Sequence, residues 1–120
     1  MAEERDVELR ATKTALDELR SVASVEGEQI LRPFVNSDPA FFGTLAARLR
    51  ESTERYREIT RIQIGGGVDP EEGYVYLTVD LIMKASLERT CEIRSALFDE
   101  WLKDLYLEAP LELEVIARPT

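Results

Sequence analysis

The stretch Tyr74-Val75-Tyr76-Leu77-Thr78-Val79-Asp80-Leu81-Ile82-Met83 alternates from end to end. Successive side chains of an extended strand point to opposite faces. Val75, Leu77, Val79, Leu81 and Met83 therefore share one side, and Tyr74, Tyr76, Thr78, Asp80 and Ile82 share the other. The first set is wholly apolar and belongs against a core. The second is mixed and belongs to solvent or to a binding surface. This segment alone calls for a sheet with one buried and one open face.

Working outward, Arg61-Ile62-Gln63-Ile64 reads as a shorter strand, and residues 65–73 as turn chemistry throughout, with Gly65-Gly66-Gly67 and Asp69-Pro70-Glu71-Glu72-Gly73. The two strands form a hairpin. On the other side, Ser86 is placed to cap a helix in which Leu87, Cys91, Arg94, Phe98, Trp101 and Leu105 share a face, Cys91 as a small core residue. Pro110 ends that helix, and residues 111–117 make a closing strand.

The N-terminal third is helical by period. Leu9, Leu16, Ala23 and Ile30 recur seven apart within residues 3–31, with Leu19 and Val22 beside them. That narrow stripe resembles a coiled-coil seam more than a fully buried helix. Leu9, Leu16, Leu19, Ala23 and Ile30 are accordingly a candidate association seam, for the second helix or for another copy. A new helix starts at once: Ser37 or Asp38 as cap, Pro39 in the first turn, then Phe42, Leu45, Leu49, Tyr56 and Ile59 as its stripe.

The expected fold class is α+β: two N-terminal helices followed by a β-β-α-β unit, a small sheet covered on one face by helices. The whole chain, 1–120, makes one domain, with 1–31 an N-terminal helix that doubles as an association element. A strand at residues 30–35 would instead give a ferredoxin-like β-α-β-β-α-β order with an extra N-terminal helix. Pro33 counts against it, because that strand would be central and proline cannot donate to a central ladder.

The net charge is −9 and both halves are acidic, so phosphate backbones and anionic membrane surfaces are disfavoured partners. A basic protein surface is favoured. The single cysteine permits no internal disulfide, the N-terminus lacks an apolar leader, and no run approaches a membrane span, so the expected location is cytoplasmic.

The chain has no histidine and one cysteine. Ser-His and Cys-His nucleophiles and thiolate or imidazole zinc sites are therefore outside its means. Gly65-Gly66-Gly67 lacks the spacing and the following helix of a phosphate loop, and reads as a flexible hairpin loop. Asp69, Glu71 and Glu72 lack the alternation of a calcium loop. No cofactor and no metal is expected.

Asp80 stands out, because aspartate is disfavoured inside a strand and this one lies beside Tyr74 and Tyr76, with Gln63 across the hairpin. These four residues are the candidate ligand- or partner-binding set. The expected function is a non-catalytic protein–protein interaction or assembly module, of the size and charge of small acidic adaptor, chaperone or inhibitor proteins. Its partner is a protein, basic in character or a second copy. The competing expectation is a small-ligand binder or carboxylate-dependent enzyme around Asp80 and Tyr76.

Overall fold

A computed structural model describes residues 14–120. A helix over residues 14–22 (α1) leads into strand β1 (Ser24–Glu26), helices α2 (Glu28–Ser37) and α3 (Pro39–Arg55), and strands β2 (Ile59–Val68) and β3 (Val75–Met83). Helix α4 (Leu87–Leu97), a π-helical turn (Phe98–Leu102), helix α5 (Lys103–Glu108) and strand β4 (Glu112–Pro119) complete it. The sheet runs β1-β2-β3-β4, with chain order equal to spatial order. β1 lies parallel to β2, β2 antiparallel to β3, and β3 parallel to β4. Two strand-helix-strand halves are thus joined by one hairpin. The fold is α+β, with helices on one face of the sheet.

The alternation of β3 sets that face. Leu77, Val79, Leu81 and Met83 are fully buried, joined by Ile62, Ile64 and Val115 from the neighbouring strands. Phe42, Leu45 and Leu49 of α3, Leu31 and Val35 of α2, and Ile93, Leu97 and Leu102 belong to the same cluster. The start of α3 follows its sequence signal, since Asp38 accepts from Phe41 N at 3.2 Å and Pro39 opens the helix. Ser86 caps α4 by accepting from Arg89 N at 3.1 Å.

Three expectations are corrected. The single helix to residue 31 is divided: α1 ends at residue 22, β1 follows, and Gly27 turns the chain with φ +67°. The alternative strand at residues 30–35 is absent, because those residues lie within α2, and the β-α-β-β-α-β order arises instead from β1, in a sheet ordered β1-β2-β3-β4. Leu31 and Val35, four apart, are both fully buried, while Pro33 between them is exposed. A helix thus buries the apolar residues and leaves the proline on its outer side, which a central strand would not allow. Finally, Gly65-Gly66-Gly67 are not loop but the last third of β2, and the connection shrinks to residues 69–74.

The glycines are in the strand because neighbours occupy the space their side chains would fill. On the core side, a Cβ at Gly66 would lie 2.6 Å from Leu31 Cγ and 2.9 Å from Gly27 O. Gly27 in turn has no room for a Cβ against the Gly66 carbonyl. On the open side, the Tyr76 ring lies across Gly67 and the Thr78 hydroxyl beside Gly65.

The last helix also departs from expectation. Leu87 is 67% exposed and Phe98 40%, and Cys91 is exposed rather than part of the core. The buried residues are Thr90, Ile93, Leu97, Trp101, Leu102 and Leu105. From Ile93 to Leu105 they step by four. A regular α-helix rotates such a series by about 40° per step, at roughly 3.6 residues per turn. The π turn takes up the drift: Lys103 N donates to Phe98 O, five residues back. Trp101 can then point inward, where its indole N–H donates to Ser52 Oγ at 3.0 Å.

β4 forms one edge of the sheet. At its middle, Val115 N donates to Tyr106 Oη at 3.2 Å and Val115 O accepts from Arg94 at 3.3 Å. Both outward backbone groups of that residue are occupied by side chains from the helices.

Two comparisons test this packing by urea unfolding. Gly27→Ala should cost about 2–4 kcal/mol, from left-handed backbone and overpacking together. Gly73→Ala, also at positive φ (+75°) but facing open space, should cost only about 1–2 kcal/mol. Leu97→Ala should cost about 2–5 kcal/mol, whereas Leu87→Ala should stay within about 0.5 kcal/mol. Equal losses for the two leucines would place the helix face where the plain α-helical period puts it.

Candidate functional site

Residues of β1 to β4 that do not face the helices form a second surface of the sheet, and among the described residues no helix packs on it. Strand pairing arranges it in rows. Arg61, Ile82 and Arg118 form the first row, and Ser24, Gln63, Asp80 and Ile116 the second. Glu26, Gly65, Thr78 and Glu114 form the third, and Gly67, Tyr76 and Glu112 the fourth. The hairpin loop with Asp69 and Tyr74 adjoins the fourth row.

Of the candidate residues, Gln63 and Asp80 are direct cross-strand partners. They line a recess of about 220 Å³ with Ser24, Glu26, Arg61, Gly65 and Thr78. Tyr74 and Tyr76 line a different recess, of about 390 Å³, with Asp69, Glu112, Leu113 and Glu114. Tyr76 and Asp80 thus share a face but not a recess. The Asp80 carboxylate accepts from Arg118 at 3.2 Å, and its side chain keeps 25% of its exposure. This ion pair accommodates an aspartate inside a strand.

Asp69 has a structural task. Its carboxylate accepts from Glu71 N at 2.9 Å and Glu72 N at 2.8 Å, and its own N–H donates to Tyr74 O at 2.9 Å. The Glu72 and Glu71 amides hold the Asp69 carboxyl below its usual range. The Asp69 charge in turn raises the Tyr74 phenol, with help from Glu72 and Glu112. Tyr74 is 42% exposed, so an aromatic ring stands in a negative field at the acidic end of the face. Among the described residues no three His, Cys, Asp or Glu side chains are arranged to hold a metal ion.

The association seam divides differently. Leu9 lies outside the described residues. Leu16 (4% exposed) and Leu19 (fully buried) belong to the chain's own core, and Ala23 packs partly against it. Ile30 is half-buried on α2. α1 also touches α3, where Arg50 donates to Ser21 Oγ at 2.5 Å. Among the described residues, Leu16, Leu19 and Ala23 of the stripe therefore pack within the same molecule.

Sequence reasoning missed Arg61, Arg118, Glu112 and Glu114 as members of the open face. The phase of β4 carries the signal: Leu113, Val115 and Ala117 alternate with Glu112, Glu114, Ile116 and Arg118. That alternation becomes informative once β4 is known to pair with β3 in parallel, which puts the charged phase beside Tyr76, Thr78 and Asp80.

No protein-family model, no curated protein and no solved structure matches the chain. No described helix is long and apolar enough to cross a membrane.

The Asp69 turn predicts a pH dependence. A carboxyl whose pKa is lower in the folded state contributes stability above its unfolded pKa, and that stability is lost as pH falls through the folded value. Slow amide exchange at Glu71 and Glu72 at neutral pH should therefore be lost on acidification below the ordinary aspartate range of about 3.9. Asp69→Ala should remove that protection at every pH. Protection that survives the substitution would show that the loop is held by other contacts.

Proposed function

We propose that this chain is a protein–protein interaction module that docks its partner on the open face of the sheet. The carrying observation is that face itself: four strands broad, uncovered among the described residues, with Tyr74, Tyr76, Ile82 and Ile116 set among charged side chains. Ile116 is 39% exposed and Tyr74 42%. Tyrosine and arginine are enriched where proteins meet, and Tyr74, Tyr76, Arg61 and Arg118 all belong to this face, which suits an interface more than a merely solvent-facing sheet. A rigid sheet also presents them without ordering cost, because the backbone is fixed by its ladders.

A site centred on Asp80 and Tyr76 for a small ligand or a carboxylate reaction draws less support. The two residues line separate recesses, and Asp80 is tied to Arg118. Each recess is lined mostly by polar and charged side chains, whereas small-molecule sites are mostly apolar and enclose the ligand.

Photo-crosslinking tests the docking reading. Benzoylphenylalanine replaces Ile116 on the open face or, as a control, Ala47 on the exposed side of α3. Irradiation in cells of the source organism should give a discrete protein adduct from position 116 and none from 47. Absence of an adduct at 116, or equal labelling at both positions, would overturn the reading.

A further inference from the structure

The charges on the open face are ordered along the strands. Arg61 and Arg118 lie on the row through Ile82, and Glu112 on the row through Tyr76. Those rows are six residues apart on β3, about 20 Å at roughly 3.3 Å per residue. Glu26 and Glu114 lie on the Thr78 row between them. One end of the face is basic and the other acidic. A uniformly basic partner would be repelled at the arginine end and a uniformly acidic one at the other. The same face, inverted, fits at both.

We infer that the occupant of the open face is a second copy of this chain, packed face to face about a two-fold axis that crosses the strands near Val79. The inference rests on the docking face proposed above. Under this operator each strand lies over its own counterpart running the opposite way. Arg118 of each copy meets Glu112 of the other, Ile82 meets Tyr76, and Asp80 meets the Thr78 hydroxyl. Arg61 comes over Gly67, where the Tyr76 ring occupies the place of the absent side chain and is what the guanidinium meets. Arg118 has donors for both Asp80 of its own chain and Glu112 of the second copy. The contact is isologous, so it closes at two copies.

Two magnitudes set its strength. Each chain carries −9, but a Debye length of about 8 Å at physiological ionic strength screens that overall repulsion, leaving the facing residues to decide. Four strands at about 4.8 Å spacing, averaging roughly 25 Å in length, bury about 500 Å² per copy and about 1,000 Å² in all, the size of a weak, transient interface. The dimer therefore forms and dissociates with concentration.

A charge-exchange experiment tests the arrangement on the full chain by sedimentation velocity across micromolar to millimolar concentration. Arg61→Glu with Arg118→Glu makes the face wholly acidic; Glu112→Arg with Glu114→Arg makes its acidic end basic. All four positions are exposed, and circular dichroism of each variant checks that the fold is kept. Wild type should associate to a dimer, and each variant alone should lose at least tenfold in association constant. Their equimolar mixture should recover a dimer of one copy each, identified by mass. A monomeric wild type, variants that associate like wild type, or a mixture that stays monomeric would each overturn the inference. An adduct from position 116 to a different protein would then leave the docking face standing with another occupant, whereas no adduct would remove both.

Discussion

Everything in this molecule is arranged around the near-contact of two backbones at Gly27 and Gly66. Gly66 sits in β2 on the helix side of the sheet, and its carbonyl lies where a side chain at Gly27 would begin. That approach brings β1 alongside β2 and starts α2 at an angle that drops Leu31 onto the bare backbone of Gly66. With a side chain at either position, α2 would ride higher and Leu31 and Val35 would leave the cluster they share with Phe42 and Ile64. Close packing of helix on sheet usually depends on interlocked side chains. Here it depends on their absence at one point.

The opposite half of the molecule solves the same problem with bulk. Trp101 reaches across to Ser52 of α3 because the π turn presents it inward, and the Ser52 hydroxyl passes the hydrogen bond on to Arg48 O at 2.8 Å. Beside it, Tyr56 donates to Glu100 at 3.0 Å and Arg55 pairs with the same carboxylate at 3.1 Å. The irregular turn is thereby tied to the end of α3 by one buried contact and two surface ones. Such surface pairs add little stability singly, and the burial of Trp101 and Leu102 supplies most of it.

The fold class and several element starts were legible because they rest on local signals. The alternation of residues 74–83, the Asp38-Pro39 start and the Ser86 cap act within a few residues and appear where the sequence puts them. What was not legible depends on distant partners. Three residues of β1 form a strand only because β2 offers them an edge, and a triple glycine is strand only because Leu31, Tyr76 and Thr78 fill its flanks. The exposed Leu87 and Cys91 reflect the same limit, since a π turn further along the helix changes which face is inward. Asp80, Tyr76 and Gln63 share the open face as their strand phase requires. Arg118 and Glu112 join them through the register of β4, which no local pattern states.

The two side chains that hold Val115 bear on what kinds of assembly this protein can form. An unoccupied sheet edge invites strand after strand from further molecules, and the product is a fibre of indefinite length. With Tyr106 and Arg94 on the central N–H and C=O of β4, an incoming strand there meets hydrogen bonds already made and must displace two side chains before gaining its own. Sideways polymerisation is thus made costly at the longer rim, while the broad face stays open. A small protein with an open four-stranded sheet can in this way meet other molecules without becoming a seed for aggregation.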